Sequence, residues 1–172
     1  LVTVLNDVSL RKLVADDLQN GFGFFHAKPS TAFAPIAIAP ESLGVFWRDS
    51  RLHLPVRIEV NGTLYGQPNA GVGVHFDFAD LIVEAARTRK LAAGTIIGGG
   101  TISNAHDETL PIKRDSIGFA CIAEARTAEK AKYGRARTPF LKPGDQVRIG
   151  AIGPDGQSVF GDIDQRVQIL PN

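Results

Sequence analysis

Short strand-like runs, turn signals about every ten residues and only two helical stretches predict a mainly β fold with peripheral helices, an α+β architecture. The alternating run LPVRIEV at 54–60 leads into Asn61-Gly62, a strong hairpin signal. No strand–helix–strand rhythm runs along the chain, so a doubly wound parallel sheet is excluded. With 172 residues, 44% hydrophobic and 22% charged, the chain suits one domain over 1–172 with a sizeable core.

Taken in order, residues 1–5 (LVTVL) read as a buried strand that Asn6-Asp7 closes with a polar turn. Ser9 stands where it would cap a helix over 10–18, in which Leu10, Leu13, Val14 and Leu18 have helical spacing. Asp7 then lies at a strand end before a helix, either as a turn cap or as a working carboxylate. The loop at 21–28 (GFGFFHAK) mixes glycines with aromatics and ends on Lys28. That lysine is either a working cation or a snorkelling side chain whose stem lies on the phenylalanines. His26 reads as a loop histidine with no second histidine at a metal-binding spacing. Residues 32–39 are apolar, and 40–43 form a turn or a single helical turn. The strand at 54–60 returns through 63–67. Asp77 and Asp80 open the clearest helix, 78–90, whose stripe of Phe78, Leu81, Ile82 and Ala85 marks a packing element. Arg87, Arg89 and Lys90 complement its C-terminal dipole.

Residues 94–104 (GTIIGGGTISN) are the stretch around which the chain is organised. Three glycines strip the side chains from one bend, and Thr101, Ser103 and Asn104 supply polar groups directly after it. Glycine belongs where φ is positive or where another group approaches the backbone. The bend is therefore either a floor for a small molecule or a plain turn between strands. After a polar loop at 105–113, residues 117–125 read as an apolar strand interrupted by Glu124. A carboxylate in such a run is either paired, with Arg126 or Lys130, or functional. TPFLKPGD at 138–145 makes a tight turn, and 146–152, 158–160 and 161–170 supply the last strands, with a turn at 154–156.

Nineteen basic residues face eighteen acidic ones, which leaves no overall field to draw nucleic acid or an anionic membrane. No apolar run is long enough to span a bilayer, and no basic-then-apolar signal peptide is expected from these residues. Cys121 is the single cysteine, which excludes an intrachain disulfide and argues against a cysteine zinc site. A cytoplasmic setting is the default expectation. The chain has no Met and begins LVTVLNDVSL, so part of a longer polypeptide is expected. GTIIGGGT lacks the context of a dinucleotide-binding fingerprint, and no Gly-Lys-Ser/Thr follows it to make a phosphate loop.

The ordered set NDVSLR (6–11), AK (27–28), LAAGTIIGGGTISN (91–104), CIAEAR (121–126), TPFLKPGDQVRI (138–149) and FGDIDQRV (160–167) resembles the fumarylacetoacetate hydrolase family. The likeness covers essentially the whole chain, and TPFLKPGD together with the glycine-threonine pair is specific. The resemblance implies a mixed β-roll with its active site at one open end, a divalent cation inside, and a homodimer. It also implies cleavage or rearrangement of carbon–carbon bonds in 1,3-dicarbonyl or 2-oxo acid substrates, as in tyrosine or other aromatic-compound degradation.

Under that resemblance Asp7 is a metal ligand, and Arg11 and Lys28 bind substrate and stabilise oxyanion charge. Gly100 and Thr101 contact substrate, and Glu124 orients a catalytic histidine. The implied cation is Mg²⁺, with Ca²⁺ or Mn²⁺ as alternatives. The family's Glu-x-Glu ligands and catalytic histidine lie upstream of its Asn-Asp motif and have no counterpart here. Its glutamine after the arginine has no clear match, with Val14 near its place and Gln19 farther on. The chain is thus expected to be the C-terminal part of such an enzyme, inactive alone. Three reactions fit: hydrolysis of a diketo acid such as fumarylacetoacetate, acylpyruvate hydrolysis, and decarboxylation of a 2-oxo acid such as oxaloacetate. A non-catalytic binding domain is the reading from another class.

Overall fold

A computed structural model describes residues 1–104 and 118–169. The chain runs β1 (Leu5–Asn6), α1 (Val14–Gln19), β2 (Ala32–Phe33), a 3-10 stretch (Pro40–Phe46), β3 (Trp47–Arg48), β4 (Arg51–Leu52), β5 (Val56–Val60) and β6 (Thr63–Gly66). Helices α2 (Phe78–Ala86) and α3 (Ile122–Tyr133) follow, then β7 (Gln146–Ala151) and β8 (Ile163–Arg166). This is the expected α+β class.

The central sheet has the order β6-β5-β7-β8 and is antiparallel throughout. The β5–β6 hairpin turns on Asn61 and Gly62, both at positive φ (53° and 72°), as the Asn-Gly pair predicts. Strand β5 then pairs with a distant segment, from Val56↔Ala151 to Val60↔Val147. Its alternation sends Val56 and Ile58 inward and Arg57 outward. One hydrophobic cluster gathers these residues with Leu54, Ala151, Phe160 and Ile163, and Ala125 of α3 joins it. The two small pairs, β1–β2 and β3–β4, bring Val4, Ala34 and Leu52 to the same cluster.

Several elements differ from the sequence expectation. The apolar run expected as a strand at 117–125 is extended only briefly. Ser103 bridges Phe119, and the chain then turns at Cys121 into α3. The segment IAEARTAEKAKY is rich in alanine, glutamate and lysine, which favour helix, and Gly134 ends it in the left-handed conformation (φ 73°). Glu124 therefore sits in the first turn of a helix. Residue 117, the loop at 105–113 and residue 170 lie outside the described residues. The first helix covers 14–19 rather than 10–18, and Leu13, which makes no side-chain cap, precedes it. The opening strand is reduced to Leu5–Asn6 with a bridge from Val2 to Ile38. The 158–160 strand is one bridge, Ile152↔Ser158, and the last strand is Ile163–Arg166.

Helix α2 starts as expected, through reciprocal bonds in which Asp80 N donates to Asp77 Oδ1 (3.0 Å) and Asp77 N to Asp80 Oδ2 (3.1 Å). It stops at Ala86, before 90, and it packs less than its stripe suggests. Phe78 stacks near Trp47 with centroids 5.9 Å apart, while Ile82 and Val83 remain exposed.

Phe160 is fully buried where the closing segment crosses the core. Phe160→Ala should cost about 3–5 kcal/mol. A urea titration would show this as a lowered midpoint at unchanged slope, and an unmoved midpoint would remove Phe160 from the core.

Candidate functional site

One group of polar residues forms where β1 ends. Lys28 Nζ donates to Asp7 Oδ2 at 2.7 Å and to Ser9 Oγ at 2.9 Å, and it lies 5.2 Å from the Phe24 ring centroid. The lysine side chain is 27% exposed and that of Asp7 56%, so the pair faces an open surface rather than the core. The ammonium itself, not the stem, both pairs with Asp7 and lies over the Phe24 ring. Ser9 does not cap a helix; its hydroxyl serves Lys28. Leu10 N donates to Ala27 O (2.8 Å), which ties the Ser9–Arg11 segment to the residue before Lys28. Arg11, later in the same segment, is exposed and has no partner among the described residues.

The second group is built by the glycine bend. Gly100 has φ 81°, a conformation that favours glycine, and a Cβ on Gly99 would come within 3.2 Å of the Phe78 ring. Beyond the bend, Ala120 N donates to Ile102 O (3.1 Å) and Asn104 N to Gly118 O (2.7 Å). That pairing carries the start of α3 alongside the polar exit of the bend. Ser103 is thereby brought to the side of Glu124. Burial raises the Glu124 carboxyl above its usual range, and the nearby Ser103 hydroxyl offsets part of the rise. Its Oε2 is buried and has no partner among the described residues. Arg126 does not pair with it; the guanidinium donates to Thr138 O and lies 4.3 Å from the Phe140 ring centroid. Thr101 is exposed at the bend.

Asn104 closes this region. Its side chain accepts from Asn69 N (2.7 Å) and donates to Asn69 O (2.9 Å) and Val72 O (3.1 Å). Under the clamped loop lies His53, packed where a Cβ on Gly71 would be 2.5 Å from its Nδ1. Its buried Nε2 has no partner among the described residues. Sequence reasoning passed over His53, because a single histidine in a loop between strands carries no pattern.

Of the six predicted site residues, the structure joins Asp7 with Lys28, while Arg11 is exposed in the same segment as Asp7 and makes no described bond to either. It gathers Gly100, Thr101 and Glu124 around Ser103. No described hydrogen bond or ion pair links the two groups; the second borders the hydrophobic cluster through Ile102, Ala120 and Ala125. A divalent cation needs several oxygen ligands. Asp7 Oδ2 is taken by Lys28, which leaves Oδ1 as one ligand. Among the described residues no group of three metal-binding side chains is assembled. Asp7 fits as part of a cation site and does not make one alone.

TPFLKPGD proves to be architectural. Buried Glu129 accepts from Arg137 N (2.6 Å), Thr138 N (2.8 Å) and Thr138 Oγ1 (2.6 Å). Asp145 accepts from Lys142 N (2.7 Å) and from the Asn61 amide (2.9 Å), so it pins the turn to the β5–β6 hairpin. In the closing motif, Gln165 Oε1 accepts from Asn6 Nδ2 at 2.9 Å and ties the residue before Asp7 to β8.

These contacts account for every stretch of the motif set, and the family model for the fumarylacetoacetate (FAA) hydrolase C-terminal region matches residues 1–168. The chain belongs to the fumarylacetoacetate hydrolase family. No curated protein matches it. Members of the fumarylacetoacetate hydrolase family are generally hydrolases or related lyases that act on small molecules, typically with a divalent metal ion. No helix among the described residues is long and apolar enough to cross a membrane.

The loop carboxylates set a pH dependence. Backbone bonds from Ala27 and Phe25 lower Asp17, and the Asn61 amide with Lys142 N lowers Asp145. Burial alone would raise Glu129, but its bonds to Thr138 and Arg137 prevail and leave it lowered. Groups lowered by folding stabilise fully above the ordinary carboxylate range and lose that contribution as pH falls through it. The urea midpoint should therefore hold down to about pH 5 and fall steeply below about pH 4. Glu124, being raised, acts in the opposite sense and costs stability as pH climbs through its range. Glu129→Gln should flatten the acid limb of the midpoint curve. An unchanged limb would show that Glu129 is not ionised in the native state.

Proposed function

We propose that this chain forms the substrate-facing part of an enzyme that hydrolyses a carbon–carbon bond in a 1,3-diketo acid such as fumarylacetoacetate or an acylpyruvate. The observation that carries this reading is Lys28, an ammonium held at 2.7 Å from the Asp7 carboxylate on an open surface, with Arg11 exposed four residues along the chain from Asp7. An anionic substrate with two carbonyl oxygens suits a site that offers two cations and a carboxylate. The same reading takes residues 1–172 as one domain of a mixed β-roll, acting as a cytoplasmic homodimer in aromatic-compound or tyrosine catabolism.

In the reaction, water adds to one carbonyl carbon and the adjacent C–C bond breaks. The bonding electrons pass to the departing half, which ends protonated at carbon. Lys28 and Arg11 bind the developing negative charge on oxygen, and preorganised charges of this kind often supply the largest catalytic term. The bare backbone at Gly100 lets substrate lie close, with the Thr101 hydroxyl as a hydrogen-bond donor. Glu124 Oε2 is available to orient the base that activates water. A divalent cation, Mg²⁺ in the first instance, would polarise the carbonyl under attack, with Asp7 as one of its ligands.

Lys28→Ala in the complete natural polypeptide should lower kcat by about 10²–10³-fold, the cost of losing one preorganised charge donor. Thermal stability should hardly move, because partly exposed ion pairs contribute only about 0–1 kcal/mol. Loss of the acylpyruvate absorbance, followed with Mg²⁺ and with EDTA, checks both turnover and metal dependence. Unchanged turnover in the variant would remove Lys28 from the site. A wild type silent on acylpyruvates but active on oxaloacetate would replace hydrolysis with decarboxylation.

A further inference from the structure

The GFGFFHAK loop has little to hold it. Gly21 and Gly23 take positive φ (75° and 81°), and Phe22 at its tip is 95% exposed. Yet the loop delivers Lys28 to two partners at hydrogen-bonding distance, so something fixes its far end. That something is Asp17, on α1, which is only 4% exposed. One carboxylate oxygen, Oδ2, accepts from Phe25 N and from Ala27 N, both at 2.8 Å. The other, Oδ1, lies 3.6 Å from His26 Nδ1. Ala27 is completely buried, and its carbonyl accepts from Leu10 N. The peptide units on both sides of Ala27 are thus pinned, one to Asp17 and one to the strand exit that carries Asp7, Ser9 and Arg11. Lys28 is the next residue, and its Nζ can reach Asp7 and Ser9 only while residue 27 stays in place.

We propose that Asp17 is a positioning residue for the reaction assigned above: its buried carboxylate locks the 21–28 loop so that Lys28 is presented to substrate. Asp17 touches neither substrate nor cation. Its effect passes through the backbone of Phe25 and Ala27. The proposal rests on the proposed function only for its kinetic arm, since the placement of Lys28 can be measured without turnover.

Two variants test it in the complete polypeptide. Asp17→Asn keeps the shape and one weaker acceptor; Asp17→Ala removes both. The first readout is trace acetylation of Lys28, quantified by mass spectrometry with Lys12 as internal reference. The second is steady-state kinetics on an acylpyruvate. Lys28 labelling should rise several-fold in the order wild type, Asp17→Asn, Asp17→Ala. In the reverse order kcat should fall, by about ten- to a hundredfold, the scale expected when a reacting group is misplaced by an ångström. KM should change far less than kcat. If Asp17→Ala does not fold, Asp17→Asn carries the test alone. Folded variants with unchanged Lys28 labelling overturn the proposal, and so does a fall in kcat and melting temperature without increased labelling. Increased labelling in a protein whose wild type turns over no diketo acid upholds the latch and overturns the proposed reaction.

Discussion

Backbone N–H groups that leave water must find acceptors, and a loop has no neighbouring strand to supply them. Here two buried carboxylates do so. Asp17 takes two amides of the 21–28 loop, and Glu129 takes two amides and a hydroxyl of Arg137 and Thr138 at the start of TPFLKPGD. Burying a charge is costly, and only charge-assisted bonds to several donors offset that cost. The opposing effects on Glu129 show the balance, since burial raises it and its three donors lower it further. The geometry of the loops therefore depends on ionised side chains whose removal would leave several amides unsatisfied at once.

The sheet supplies what these latches cannot, a rigid frame for both groups of candidate residues. Strand β7 pairs with β5 on one side and β8 on the other, so residues far apart in sequence meet in fixed register. Asn6 bonds Gln165 of β8, and Ile36 N donates to Phe160 O. The β1–β2 pair with its Asp7 exit is thereby fastened to the central sheet. On the other flank, fully buried Ala125 seats α3 in the core and fixes its neighbour Glu124. Each functional group is thus adjacent to a well-packed residue, though its own members stand nearer the surface.

What could be read from the sequence was mostly local chemistry. Asn61-Gly62, the Asp77/Asp80 box and the turn at Gly144 each need a particular residue for a nearby backbone reason, and each appears where expected. Lys28 was conspicuous because a lysine among phenylalanines asks for a partner. What stayed hidden depended on distant contacts. An Asp-Asp pair on a short helix looks like a solvated face, so nothing marked Asp17 as the residue turned inward. Ser9 fits a helix cap as well as it fits a lysine 19 residues away. The run around Glu124 is apolar enough for a strand, and its helical character emerges only in the alanines and lysines beyond it.

The described hydrogen bonds of TPFLKPGD are structural ones. TPFLKPGD consists of bonds from Thr138 to Glu129, from Lys142 N to Asp145 and from Asn61 to Asp145. A motif of this kind marks a fold, and function must be argued from residues whose polar atoms the fold leaves unused. Glu124 Oε2 and His53 Nε2 are such atoms, buried and without partners among the described residues. Leaving a buried polar group unmatched costs about 1–3 kcal/mol, so native structures rarely keep one without a use. Glu124 also sits in the first turn of α3, where the helix dipole favours its charged form, and burial still raises it. In the proposed reaction, the Glu124 oxygen committed to no described group would take the donor that the base presents. This is the contact that the water-activating half of the proposed reaction requires.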